Sequence, residues 1–447
     1  MGLFDRLRSD DPRVVFLGID GVPYDLVEDH PDVFENLHAL AAEGTGGQID
    51  SIVPPESSAC WPALTTGQNP GQTGVYGFQD RESDSYETYV PVGAHVQATR
   101  LWDRVTEAGR SASVFNVPVT FPPSEQIQRQ VSGFLSPSLE DAVSSSDVQR
   151  VLEANDYRVD VDASLGHEDD KTAFIENAHE TLEGRYEVFR HYLEQDDWDL
   201  FFGVFMATDR VNHFLFRDYV QDGEYAEEFL EFYRTLDEYI GDLRGMLDDE
   251  TTLLVASDHG FTELEYEVNC NQWLAERGWL SYDTDEPEEL TDIAAETRAY
   301  SLIPGRFYLN LDGREPDGSV PKSDYEAVRD ELIADLESLT GPDGRDVCKR
   351  IVRGEEVFDG PHTEIAPDVV VLPADGFDLK AGFGEKEGVF TTGPRNGMHK
   401  FDNACLYASE PELSLADVDL YDIAPTILDL MEIDAESRAM DGRSLVS

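Results

Sequence analysis

Three apolar runs constrain this chain more than any other feature, because each leads into groups that can hold a metal ion. Leu253 to Phe261 reads LLVASDHGF, Arg13 to Asp20 reads RVVFLGID, and Trp198 to Ala207 reads WDLFFGVFMA and continues into Thr208-Asp209-Arg210-Val211-Asn212-His213. Runs that are apolar without alternation predict strands buried on both faces, as in a parallel sheet covered by helices. In open α/β sheets ligands gather at the carboxyl ends of the strands, so Asp20, Asp209, Asp258 and His259 are expected at one rim. An Asp-His pair supplies one hard oxygen and one imidazole, suited to Zn²⁺ or Mn²⁺ but incomplete by itself. If a helix begins at Thr208, Asp209 and His213 stand at i and i+4 on one face, the spacing that presents two ligands to one ion. Plainer readings exist for each motif: Asp258-His259 as a polar turn after a strand, Asp209 as a helix cap beside a surface histidine.

Up to Phe261 the chain alternates strand and helix. Pro31 to Gly44 carries a helical stripe, Gly47 to Val53 is extended, Thr99 to Gly109, Thr172 to Leu193 and Tyr225 to Leu247 are helical, and Ser113 to Val119 is a strand. In Pro54 to Phe78, PPESSACWPALTTGQNPGQTGVYGF, the two prolines hold the chain extended ahead of a short helix that closes at Gly67. The Ser57, Ser58 pair at that helix start offers either an ordinary cap or, in the same geometry, a helix N-terminus whose free amides and positive dipole end face a phosphate. Leu135 to Lys171, acidic and serine-rich, reads as a surface excursion or part of a lid. Beyond Phe261 the alternation fades: a short helix at Asn271 to Arg277, a strand at Ser301 to Asn310, a helix at Asp324 to Leu339 and broken strands over Val347 to Val371. The expectation is one catalytic domain spanning 1–447, with 262–388 an insertion or cap forming one wall of the cleft. Arg395-Asn396-Gly397-Met398-His399 reads as a polar loop with an ordinary histidine, and Asp419 to Glu432 as a closing helix.

The chain has 447 residues, with 93 acidic and 33 basic, giving a formal net charge of −60. The acids are spread along its length, so they describe a surface and not an interaction tail. Lysine occurs only at Lys171, Lys322, Lys349, Lys380, Lys386 and Lys400. This pattern resembles proteins of salt-loving archaea, whose surfaces hold hydrated cations at multimolar salt, and it implies self-repulsion where screening fails. It argues against binding the backbone of nucleic acids. Cys60, Cys270, Cys348 and Cys405 show no CxxC spacing, so neither a zinc ribbon nor a disulfide framework is indicated. The start lacks an apolar signal region, the opening Met-Gly-Leu-Phe lacks the later Ser or Thr of a myristoylation site, and no stretch approaches the roughly 20 apolar residues of a membrane span. A soluble cytoplasmic protein is expected.

Taken in order, FLGIDG, SSACWPALTTGQNPGQTGVYGF, TDRVNHF, SDHGF and GMHK resemble the alkaline phosphatase superfamily, and within it the type I phosphodiesterase and nucleotide pyrophosphatase branch; DIAPTILDL and MDGRSL resemble its carboxyl-terminal segments. The resemblance implies two divalent ions, Zn²⁺ or alternatively Mn²⁺, bridged by the phosphate of a small phosphate-ester substrate. Asp209, His213 and His399 would hold one; Asp20, Asp258 and His259 the other, with Ser57 beside it as nucleophile and ligand. Ser57 is chosen over Ser58 because the family nucleophile stands ten positions before the Gly of the Thr-Gly pair, here Gly67. The same register argues against a sulfatase, which needs Pro and Arg where this chain has Ala59 and Trp61. Cys60 stands where the nucleotide pyrophosphatases have an Asn that binds a phosphate oxygen. The expected activity is phosphoester hydrolysis through a phosphoserine. The alternatives are a phosphotransferase or mutase of the same superfamily, and a non-catalytic acidic protein with structural metals.

Overall fold

A computed structural model describes residues 11–195, 197–383, 388–434 and 440–446. The opening Met-Gly-Leu-Phe and Lys386 lie outside the described residues.

The Arg13–Ile19 run forms the middle of a seven-stranded sheet ordered Thr45–Ile49, Ala404–Ala408, Thr251–Ala256, Arg13–Ile19, Leu200–Phe205, Ala112–Val117, Arg129–Ser132. The five strands from Thr251–Ala256 to Arg129–Ser132 run parallel, whereas Ala404–Ala408 is antiparallel to both its neighbours. Alternation within the first strand explains why both faces are covered. Val15, Leu17 and Ile19 pack with the helices Thr172–Glu194, Ala207–Gln221 and Ala226–Arg244. Val14 and Phe16 face the helices Ser57–Thr66, Leu101–Glu107 and Ile423–Leu430. Each such side chain, shut off from water, contributes roughly 1.5–3 kcal/mol against chain entropy. Continuous apolar strands are stable only in this doubly covered arrangement.

After the Asp258-His259 turn the chain continues as a long strand, Gly260–Asn269, which runs across position 262. It pairs in parallel with Gly376–Lys380 and antiparallel with Phe390–Thr391 and Gly397–Lys400. Two sequence expectations are corrected here. His399 stands on the strand Gly397–Lys400, opposite Phe261, and not in a loop. Ser301 to Asn310 is not one strand but parts of an antiparallel hairpin, Ala299–Leu302 and Arg306–Leu309. Between them Pro304 has no amide to donate and Gly305 takes a positive φ of 55°, which together turn the chain. Residues between Val268 and Leu379 form a separate apolar cluster that includes Trp273, Trp279, Tyr300 and Phe307. Buried ion pairs, Arg306 with Asp80 and Arg81 with Glu315, tie this region to the short strand Asp80–Arg81 that follows the Ser57 segment. Among the described residues no helix is long and apolar enough to cross a membrane.

Candidate active site

The strands that carry the acidic groups are three neighbours at the centre of the sheet, and their registers are nearly flush: Ile19 lies beside Phe205 and Gly18 beside Ala256. Asp20, Asp209 and Asp258 therefore emerge side by side, all buried. The helix Ala207–Gln221 starts directly after its strand, and its pitch sets Asp209 Oδ1 3.4 Å from His213 Nε2. Strand pairing brings in His399, whose Nε2 lies 3.2 Å from Asp209 Oδ1 and 3.1 Å from His213 Nε2. Gly397 makes this approach possible, because a side chain there would collide with the Asn212 carbonyl. In the adjoining group His259 Nε2 is 3.7 Å from Asp20 Oδ1 and 3.5 Å from Asp258 Oδ2. Ser57, first residue of its helix, places Oγ 3.1 Å from His259 Nε2 and 3.4 Å from Asp20 Oδ1. All seven candidate residues thus meet at one place, and the groups adjoin: single ligand atoms of Asp209, His259 and His399 lie within 4.8 Å of one another.

The donor chemistry fits divalent cations. Each of the three histidines sets Nδ1 against a backbone carbonyl: His213 on Gly397 at 3.0 Å, His259 on Gly260 at 3.0 Å, His399 on Pro55 at 3.1 Å. With Nδ1–H donating there, every Nε2 turns a lone pair into the cluster, where lone pairs and carboxylates face one another. Asp209 Oδ1 and Asp258 Oδ2 are buried and meet no donor. A buried acceptor without a partner is costly, and a cation removes that cost for all of them together. Burial holds His213 and His259 well below the usual imidazole range, with the charge of Arg395 adding to the effect at His213. Burial and the charges of Asp258 and Asp209 push Asp20 well above the carboxylate range, and burial takes Asp258 up to about 7. At Asp209 burial pulls the same way but is outweighed by His213, His399 and Arg210, so its carboxyl is held low. Oxygen and imidazole donors without thiolate suit Zn²⁺ or Mn²⁺.

Several positioning groups escaped the sequence reading. Trp61 Nε1 donates to Asp20 Oδ2 over 2.7 Å, with its ring lying where a side chain on Gly18 would be. The Gly21 amide donates to Asp258 Oδ1 at 3.1 Å, and Arg210 Nη1 to Asp209 Oδ2 at 2.8 Å. Trp61 and Arg210 stood inside the quoted motifs, but nothing in residue spacing marks an indole as a partner of a carboxylate 41 positions away. Cys60 is fully buried beside the Ser51 hydroxyl, 3.4 Å away, and does not line the cleft.

Above the cluster lies a cavity of about 490 Å³. Phe78 and Phe134, stacked at 6.4 Å, line it together with Pro304 and Leu379. The stretch read as excursion or lid contributes Leu135 and His167 to the lining, and Lys380 and Arg395 line it as well. The space adjoins Ser57, Asp209, His213 and His399.

The sequence matches the family model of the type I phosphodiesterases / nucleotide pyrophosphatases over residues 14–402. No curated protein matches it. Among solved structures, phosphonoacetate hydrolase from Sinorhizobium meliloti in complex with phosphonoformate is similar with a TM-score of 0.61 at 15% identity, over 94% of this chain and 96% of that chain. Murine ectonucleotide pyrophosphatase / phosphodiesterase 5 in complex with AMP gives 0.56 at 13% identity, over 97% of each chain. At these identities the likeness shows the fold, a mixed α/β architecture with a mostly parallel central sheet. The family match spans the segments that deliver Asp20, Ser57, Asp209, Asp258 and His399, so the chain belongs to the type I phosphodiesterase / nucleotide pyrophosphatase family and is a phosphoric ester hydrolase.

Proposed function

We propose that the protein hydrolyses small phosphodiesters or phosphoanhydrides through a phosphoserine on Ser57, with two divalent cations, Zn²⁺ or alternatively Mn²⁺, held by the clustered residues. The observation that carries this reading is the convergence of three imidazole Nε2 atoms and three buried carboxylates in one cluster, with the hydroxyl of a residue at a helix start set against His259 and Asp20, beneath an open cleft. Asp209, His213 and His399 would hold one ion; Asp20, Asp258 and His259 the other, beside Ser57. When bound, the ions supply positive charge to the phosphoryl oxygens and make the serine hydroxyl more acidic. The helix N-terminus offers amides and the positive end of its dipole to the same oxygens. Ser57 Oγ, having lost its proton to solvent in the cleft, attacks phosphorus, and the bond to the leaving oxygen breaks. Water then attacks the phosphoserine, which releases the second product and restores the hydroxyl. Trp61 and the Gly21 amide keep Asp20 and Asp258 aimed, and the imidazoles are held by their Nδ1 bonds.

We read 262–388 as a cap, since it supplies Pro304, Leu379 and Lys380 to the cleft wall. The net charge of −60 supports an enzyme working at multimolar salt, with hydrated cations on its surface. The test is turnover of a chromogenic phosphodiester and its monoester at high KCl with added Zn²⁺ or Mn²⁺. Ser57→Ala should lose diester turnover while keeping its metal; equal turnover in both proteins contradicts the assignment.

A further inference from the structure

Within a chain this acidic, the cations that line the cleft are informative. Arg210 is neutralised by Asp160 and Asp209, each 2.8 Å away. Among the described residues Lys380 and Arg395 are not matched in this way. Both turn to the same oxygen of the buried Asp378, Lys380 Nζ at 2.6 Å and Arg395 Nη2 at 3.5 Å. Two positive charges thus share one negative charge in a cavity whose lining also includes the apolar Phe134, Pro304 and Leu379. The two cations hold the Asp378 carboxyl well below its usual range in spite of burial.

Arg395 also has donors to spare. Its Nη2 lies 3.0 Å from His213 Nδ1, but that nitrogen already gives its proton to Gly397, so it accepts nothing from the guanidinium. Among the described residues no acceptor meets Arg395 Nε or Nη1. The position is equally telling. Nδ1 is on the far side of the imidazole from Nε2, so the ring of His213 stands between Arg395 and the metal-ligand cluster. An attack by Ser57 in line with the leaving oxygen sends the leaving portion away from the Asp20, Asp258 and His259 group, toward the side where His213 stands.

We propose that Lys380 and Arg395, held by Asp378, form an oxyanion subsite that takes a second acidic group, a phosphate or a carboxylate, on the leaving portion of the ester. This rests on the phosphoester hydrolase reading and narrows it to substrates with an anionic leaving group. The guanidinium supplies a planar pair of donors, the ammonium a point charge, and Asp378 keeps both extended toward the cavity.

Three derivatives of one nucleoside monophosphate test this, two aryl esters and one anhydride, with p-nitrophenol, p-hydroxybenzoate or pyrophosphate as leaving group, at fixed KCl and metal. In Arg395→Gln and in Lys380→Gln the ratio of kcat/KM for an anionic leaving group to that for p-nitrophenol should fall at least about tenfold, as expected for losing a charged hydrogen bond. The larger loss, with pyrophosphate or with hydroxybenzoate, shows whether phosphate or carboxylate is the preferred group. An unchanged ratio in both variants overturns the subsite. Lys380→Gln alters no contact to His213, so a defect confined to Arg395→Gln on all three derivatives alike also overturns it. If wild type cleaves none of the derivatives, the hydrolase reading fails on its own terms. Calorimetric binding of pyrophosphate then decides the subsite: weakening in Arg395→Gln supports it, and equal binding overturns it.

Discussion

Replacing Trp61 with Phe removes one hydrogen bond from behind the ligand cluster and leaves every ligand in place. The indole donates to Asp20 Oδ2 over 2.7 Å, with both groups shut off from solvent. The other oxygen of Asp20 is the one that faces His259 and Ser57. A hydrogen bond to a charged buried acceptor is worth about 1.5–3 kcal/mol, and losing a group that orients a metal ligand weakens metal binding by about 10–100-fold. The figures agree, because about 1.4 kcal/mol is a factor of ten. Trp61→Phe should therefore need roughly 10–100 times more free Zn²⁺ to fill the position beside Ser57, measured by competition with a chelator of known affinity. The smaller ring also leaves a void, so the titration belongs well below the lowered melting temperature. Gly18 sharpens the test. A methyl there would strike the Trp61 ring, so Gly18→Ala should copy the metal defect, and it should add far less in a Trp61→Phe background than it does alone. Wild-type affinity for both ions in Trp61→Phe would refute the reasoning.

Two further outcomes follow from charge. Asp419 is pushed up to about 6 by burial and by Asp422. Its folded pKa lies above the unfolded value, so its stabilisation is complete below about 4 and is lost as pH rises through the folded value. Asp419→Asn, which keeps an acceptor for the Tyr421 amide, should gain about 1–2 kcal/mol on wild type across that window, allowing for partial exposure; parallel denaturant melts at both ends that show no relative gain would count against it. With a net charge of −60, the melting temperature should climb steeply as KCl rises from about 0.1 M to multimolar and the screening length falls from about 10 Å to below 3 Å. A flat salt profile would contradict the reading of the surface.

The sheet and most of the site were legible because the same residues encode both. Leu253 to Ala256 is apolar enough to be a central strand and stops at Asp258-His259, so predicting the strand also places the candidate ligands. The pitch of one helical turn did the same for Asp209 and His213. His399 was found through family resemblance and not through structure: RNGMHK has no strand signature, and its conformation comes from pairing with Gly260 to Glu263, a contact made across the whole intervening region. The hairpin at Ile303 to Gly305 was hidden because apolar residues flank a short turn, which reads as one run. Trp61, Asp378, Lys380 and Arg395 were illegible for a different reason. Their roles depend on which side chains meet in the folded cleft, and no periodicity records that.

The most direct test of the phosphoserine route is the stereochemistry at phosphorus. A diester made chiral by sulfur substitution is hydrolysed in isotopically labelled water, and the configuration of the product is read. Attack by Ser57 followed by attack of water gives two in-line displacements, each inverting, so the account predicts net retention. Net inversion would mean that water attacks the substrate directly and that Ser57 is not the nucleophile.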